Sequence, residues 1–208
     1  MLLDFAISSL LTLFVVVDPI AMAPTFLVVT TGMPRGSRES VAVRASIIAG
    51  AILIGTALAG DRLLNVLEIS LPAFRISGGL LLFWIAAEMV FGVRSRNEGE
   101  AAEQAIEERV RNVAAFPLAV PLLAGPGAIT ATILLAGQAS GSLLQLLVLV
   151  AVAALVAASC LVTFIFAERI SGLLGMTGNI VLSRLLGVLL AALAVQYVVD
   201  GVRAALSG

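Results

Sequence analysis

The sequence predicts an all-α integral membrane protein with six transmembrane helices, arranged as two inverted three-helix repeats with proline-broken first and fourth spans. Of its 208 residues, 61% are hydrophobic and 12% are charged, whereas soluble domains are about 45–50% apolar and about 25% charged. Residues 112–167 contain no Asp, Glu, Lys or Arg, and about 20 apolar residues cross a bilayer as a helix. A proline motif also recurs in the two halves. These three observations place the chain inside a lipid bilayer.

Clusters of charged and turn-forming residues divide the chain into six hydrophobic segments. The predicted spans are residues 5–31, 41–60, 72–92, 114–137, 143–167 and 180–203. Residues 1–93 form the first three-helix repeat and residues 113–208 the second, within one membrane domain. Between them, residues 94–112 form a charged linker predicted to be cytoplasmic and solvated. Its residues 99–110 suit either an amphipathic surface helix or a plain connection.

The arginines indicate the orientation, since short cytoplasmic loops carry an excess of positive charge. All twelve basic residues are Arg, and eight of them fall on the side that carries the loops after spans one, three and five. Three fall on the other side, and Arg184 is not counted because it falls within span six. The sequence therefore predicts a multi-pass protein with both termini on the non-cytoplasmic side.

An internal repeat relates the two halves. The motif Pro19-x4-Pro24 recurs 102 positions later as Pro121-x4-Pro126, and Arg75-x2-Gly78 recurs later as Arg184-x2-Gly187. Because each half has three spans, the second half must enter the membrane from the opposite side. Inverted repeats of this kind are typical of secondary transporters.

The prolines predict broken helices in the first and fourth spans. Proline removes an amide donor and biases the preceding residue away from helix, and broken helices survive in a membrane only where they line an interior cavity. Helices that restart after the breaks offer free N–H groups to a carboxylate. The alternative is that these prolines only kink packed helices. The predicted substrate-binding residues are Asp18, Pro19, Pro24, Thr25, Pro121, Gly125, Pro126, Gly127 and Thr130.

Two acidic residues are candidates for ion coupling. Asp18 follows an uncharged run from residue 5 to residue 17, and an ionisable group at that depth is a functional candidate by default. Asp18 suits the binding of a proton, Na⁺ or an ammonium group. The alternative is that its carboxylate caps the broken helix. Glu88 is the second candidate. The alternative is that it is an interfacial residue whose carboxylate reaches the membrane surface.

Three polar residues near span six are secondary candidates. Arg184 and Gln196 lie within the predicted span, where Gln196 is four residues from Asp200 and suits polar packing between helices as well as a ligand contact. Asn179 precedes the span, where a helix cap is the default expectation.

The residue inventory excludes several classes of chemistry. The chain has no His and no Lys, which removes a P-loop lysine and therefore ATP-driven pumping by this chain alone, Ser-His triads and zincin motifs. Its single cysteine, Cys160, lies in an apolar run and suits packing. We therefore expect no enzyme activity, no metal, no cofactor and no nucleic-acid partner.

Four segments together resemble the MarC family of bacterial inner-membrane proteins, also called the neutral amino-acid transporter family. They are DPIAMAPTFLVVT at 18–30, AFRISGGLLLF at 73–83, PLAVPLLAGPGAIT at 117–130 and NIVLSRLLGVLLAALAVQYVVDG at 179–201. The first motif usually reads Asp-Pro-x-Gly in the family, so Ala21 departs from the pattern. The resemblance implies six spans, an inner-membrane location and small neutral amino acids such as glycine and alanine as substrates.

These observations predict a secondary transporter that moves a small zwitterionic solute by alternating access of its two halves. The sequence leaves open whether a proton or a sodium ion is coupled, and whether the protein forms a homo-oligomer in the bilayer. It also leaves two other functions open. One is a passive channel for small solutes where the broken helices meet, and the other is a non-transporting membrane scaffold.

Overall fold

In the computed structural model, which describes residues 2–94, 96–100, 112–139 and 141–207, every regular element is a helix. The elements are α1 (Leu2–Val17), α2 (Met22–Val29), α3 (Arg35–Val66), α4 (Leu71–Phe91), α5 (Ala114–Leu123), α6 (Pro126–Gln138), α7 (Leu143–Ile165) and α8 (Ala167–Ser207). Residues 96–100 are also helical. Most of the predicted surface helix at 99–110 lies outside the described residues.

Four helices within the described part of the chain are long and apolar enough to cross a membrane. They are α3, α4, α7 and the Thr177–Ser207 part of α8. Two further pairs qualify if each bent pair is one span: α1 with α2, which meet at 43°, and α5 with α6, which meet at 56°. The structure thus has four to six candidate spans, and α3 is longer than the predicted 41–60 because it begins at Arg35.

The first break follows from Asp18 and Pro19. The Asp18 amide still donates to Phe14 O at 2.9 Å, but the residue adopts φ 51°. The proline after it disfavours right-handed helix, and Asp is one of the few residues that tolerates the left-handed region. The chain restarts as α2 at Met22, with Pro24 in the first turn as predicted.

The second break contains more irregular backbone than predicted. Phe116 and Val120, each directly before a proline, have extended backbone inside α5 (φ −136° and −129°), as expected for residues that precede proline. Regular helix resumes only at α6, where Pro126 stands in the first turn. The break therefore starts at Pro117 rather than at Pro121.

Glycines allow α4 and α8 to pack closely along much of their length. A Cβ added at Gly79 would lie 2.7 Å from Ala194 O, and one at Gly187 would lie 2.9 Å from Met89 Cβ. Small residues at such positions let membrane helices approach each other. This pairing holds the last helix of each half against the other.

Contacts between the two halves occur in matching pairs. Helix α1 packs on α7 and α8, and α6 packs on α3 and α4. In addition, α3 packs on α7, α4 on α8 and α1 on α6. The bent pair α1–α2 therefore contacts α7 and α8, and the bent pair α5–α6 contacts α3 and α4.

Candidate functional site

A pocket of about 180 Å³ lies at the start of α6, beside the end of α1. Of the residues predicted from sequence, it brings together Glu88, Pro121, Gly125, Pro126 and Gly127. It also includes residues that were not predicted, mainly Val16, Ile85, Arg94 and Glu98. The pocket thus joins the second helix break to the first residues of the linker.

The N-terminus of α6 faces this pocket without a cap. Its N-cap residue, Gly125, has no side chain to accept a hydrogen bond, and Pro126 has no amide. Among the described residues, the amides of Gly127 and Ala128 have no hydrogen-bond acceptor. Unpaired amides at a helix start carry partial positive charge and bind anions.

Arg94 reaches from the linker to the end of α1. Its Nη2 donates to Val16 O at 3.0 Å and its Nε donates to Glu98 Oε1 at 2.7 Å. Its Nη1 is buried and has no hydrogen-bond partner among the described residues. A residue that lines the pocket thus has one guanidinium nitrogen without a hydrogen-bond partner, and the unpaired amides of α6 lie in the same pocket lining.

Asp18 is buried beside the first break, with 1% of its surface exposed. Its Oδ1 accepts from the Ala21 amide at 3.4 Å, and its Oδ2 accepts from the Ser183 hydroxyl of α8 at 3.3 Å. The carboxylate thus accepts from an amide in the turn between α1 and α2, at the first break. Both bonds are longer than the 2.7–3.2 Å typical of strong hydrogen bonds.

The charged groups near the Arg94–Glu98 pair are acidic. Burial raises the pKa of the Glu98 carboxyl above its ordinary 4.5, Arg94 opposes this rise, and the carboxylates of Asp18 and Glu88 increase it. Two buried carboxyl groups, those of Asp18 and Glu98, therefore interact with the Arg94 guanidinium, and Glu88 adds negative charge near Glu98.

Arg94 and Glu98 differ from the solvated linker that was predicted, whereas Arg96, Asn97 and Glu100 are exposed. Glu98 is only 8% exposed, and Arg94 keeps 13% of its side-chain surface exposed. Their mutual ion pair and the Val16 carbonyl replace the water that both side chains lose on burial. Among the described residues, no group of His, Cys, Asp and Glu is arranged to hold a metal ion.

Four other predicted residues lie near the breaks but do not line this pocket. Pro19 is buried within the first break, and Pro24 belongs to the first turn of α2. Thr25 is buried in α2, and Thr130 in α6, where its Cγ2 would lie 2.9 Å from a Cβ added at Gly78. These four residues belong to the packing around the two breaks.

The three secondary candidates are not part of the site. Arg184 is exposed, although the adjacent Ser183 points to Asp18. Gln196 is exposed and donates to Asp200 Oδ1 at 2.8 Å, away from this pocket. Asn179 lies in the first turn of the Thr177–Ser207 segment of α8, just after a backbone break at Gly175, and does not line this pocket.

Sequence reasoning missed Arg94, Glu98 and Ser183. Arg94 and Glu98 belong to a charged stretch, and such stretches usually face solvent. Their i,i+4 spacing was the available signal, since it permits an ion pair on one helix face. No comparable signal distinguishes Ser183 from the other small residues of α8.

Comparison with known proteins agrees with an integral membrane protein. The sequence pattern of MarC family integral membrane proteins matches residues 3–206. A UPF0056 membrane protein of Archaeoglobus fulgidus is 38% identical over 96% of this chain and 92% of its own length. The UPF0056 membrane protein YhcE of Escherichia coli is 33% identical over 94% of this chain and 91% of its own. No solved structure matches. The chain belongs to the MarC family of multi-pass integral membrane proteins.

Proposed function

We propose that this protein is a secondary transporter of small neutral amino acids, such as glycine and alanine, and that it works by alternating access. The observation that supports this proposal is the pocket in which the uncapped start of α6 meets the unpaired Nη1 of Arg94. Two kinds of carboxylate-binding donor converge there. The remaining charges of the pocket suit an ammonium group.

A comparison of the two breaks indicates how the substrate carboxylate binds. In the first half, the Asp18 carboxylate accepts from the Ala21 amide in the turn before α2. The position aligned with Asp18 in the second half is Val120, which has no acceptor, and α6 starts uncapped. A substrate carboxylate at α6 takes the place that Asp18 occupies at α2, with Arg94 as an added donor.

The acidic residues in and beside the pocket suit the ammonium group of a zwitterion. Glu88 lines the pocket, and its Oε1 already accepts from Trp84 Nε1 at 3.1 Å, which fixes its orientation. Asp18 lies next to the pocket and is the proposed coupling group for a proton or Na⁺. Its two long hydrogen bonds leave the carboxylate free to take up a cation.

The pocket volume limits the size of the substrate. At about 180 Å³ it is smaller than the roughly 300–1,000 Å³ of pockets that hold drug-sized ligands. Ile85 lies against Gly127, so a larger side chain on the substrate has no space there. Small neutral amino acids fit this limit.

The pairing of helices supports alternating access. The matching contacts between halves suit two inverted repeats that rock against each other around a central site. In this arrangement each bent pair is one span, giving six spans with both termini on the non-cytoplasmic side. The α4–α8 and α3–α7 contacts then form the surface along which the halves move.

Uptake of radiolabelled glycine and alanine into proteoliposomes, with and without proton and sodium gradients, tests the proposal. Wild type should show saturable, gradient-driven uptake. Arg94→Gln should weaken apparent affinity about 10- to 100-fold, because a charge-assisted carboxylate bond contributes about 1.5–3 kcal/mol. Arg96→Gln is the matched control, since Arg96 is exposed and only two residues away.

Asp18→Asn separates binding from coupling. This variant should still bind glycine but should lose gradient-driven uptake. Wild-type flux that neither saturates nor responds to a gradient would identify a passive channel instead. An absence of flux for any small neutral amino acid in folded, reconstituted protein would leave a scaffold as the better function.

A further inference from the structure

A second pocket, of about 230 Å³, lies at the end of the bundle where the α2–α3 connection meets the start of α8. Its charged lining contains Arg35, Arg38 and Arg169, together with Glu39 and Glu168. This is the arginine-rich side, which the charge distribution predicts to be cytoplasmic. The site proposed for transport includes none of these residues.

The arginines of this pocket differ in the contacts that their guanidinium groups already make. Arg38 is fixed by two contacts, Nε to Thr30 Oγ1 at 3.3 Å and Nη1 to Glu168 Oε1 at 2.6 Å. Arg169 lies over the Phe166 ring at 5.8 Å and Arg35 is exposed. Among the described residues, neither of these two is within ion-pair distance of a carboxylate. Two guanidinium groups are therefore free to bind an anion.

The pocket combines this positive rim with an apolar floor and flank. Phe26 and Phe164 stack at 4.4 Å between ring centroids and form the buried floor. Ile165 is 50% exposed, and Val162, one turn earlier on α7, is 53% exposed. An apolar strip therefore runs from the charged rim along the lipid-facing surface of α7.

We propose that this pocket binds the phosphate headgroup of an anionic phospholipid, with an acyl chain along Val162 and Ile165. Guanidinium groups bind phosphate through paired hydrogen bonds, and basic pockets between transmembrane helices suit lipid headgroups. Glu168, which is 63% exposed on its side chain, can turn to solvent and leave Arg38 as a third donor. The apolar strip distinguishes a lipid from free phosphate, which has no chain to place there.

Thermal unfolding of the delipidated full-length protein in detergent tests the site, with native mass spectrometry counting retained lipids. Phosphatidylglycerol and cardiolipin should raise Tm and remain bound. Phosphatidylethanolamine, phosphatidylcholine and inorganic phosphate at the same phosphate concentration should have little effect. Equal stabilisation by inorganic phosphate would overturn the lipid assignment, and equal stabilisation by the zwitterionic lipids would overturn the preference for an anionic headgroup.

The double variant Arg35→Gln/Arg169→Gln should bind phosphatidylglycerol about tenfold more weakly or worse, since each arginine near a membrane surface adds to anionic-lipid binding. Arg62→Gln/Arg203→Gln is the matched control because it removes the same charge from exposed positions elsewhere. Equal weakening of phosphatidylglycerol binding in both double variants would show that the effect depends only on net charge, and would refute a specific site. Because none of these arginines contacts the transport pocket, the test does not depend on transport activity.

Discussion

Individual charged residues determine what the transport pocket can bind. Arg94 supplies a buried Nη1 without a hydrogen-bond partner, and the carboxyl groups of Asp18 and Glu98 interact with the same guanidinium. Opposite charges interact strongly in a low-dielectric site. The proposed ligand, an amino acid, brings both a carboxylate for the donors and an ammonium group for the acidic residues.

The raised pKa of Glu98 predicts a pH dependence of stability. Since the folded-state pKa lies above the ordinary 4.5, the folded protein binds more protons and its stability falls as pH rises from that value through the raised pKa. Glu98→Gln does not titrate, so its Tm relative to wild type should increase over this range. The groups that act on Glu98 are Arg94, Asp18 and Glu88.

Glu100→Gln is the control for this experiment, because Glu100 is exposed and two residues away. Its Tm relative to wild type should change little with pH. A constant Tm difference between Glu98→Gln and wild type from acid to neutral pH would contradict the assigned burial of Glu98.

At the level of helices, the break before α6 depends on a close backbone approach. A Cβ added at Gly125 would collide with the carbonyl oxygen of Pro121. This neighbour is backbone and cannot move away as a flexible side chain would. The glycine is therefore required by space, at a φ of −79° that any residue can adopt.

Gly125→Ala should lower the free energy of unfolding by about 1–3 kcal/mol, the usual cost of overpacking, and should abolish uptake. Gly55→Ala is the control, since a Cβ there meets nothing within 4 Å and alanine stabilises a helix interior by roughly 0.5–1 kcal/mol over glycine. Tm and glycine uptake measure both effects. Normal Tm and uptake in Gly125→Ala would show that the break has another geometry in the membrane.

At the level of the whole molecule, the topology depends on whether each bent pair crosses the membrane or returns to the side from which it entered. If each pair is one span, the connections alternate between the two sides of the membrane. If each pair is instead a re-entrant hairpin, both of its ends lie on one side. The distribution of arginines between the two sides favours the first arrangement.

Single cysteines labelled with an impermeant maleimide in intact cells distinguish these arrangements. The background is low because Cys160, the only natural cysteine, is buried. Cysteines replacing Thr31, Asn97 and Phe166 should be protected from outside reagent, and cysteines replacing Leu3, Leu67, Leu143 and Leu206 should react. Labelling of both Leu3→Cys and Thr31→Cys from outside would instead indicate a re-entrant first pair.

The sequence by itself determined the membrane class, the helix positions and both breaks. Apolar length decides which segments cross a bilayer, and proline acts on its own neighbours, so both can be read locally. Only the tertiary structure brought Arg94 and Glu98 into the site and Ser183 to Asp18. The physical reason is that a charged residue after a helix satisfies the same local rules whether it faces water or turns inward. Its position depends on donors and acceptors that lie far away in the chain.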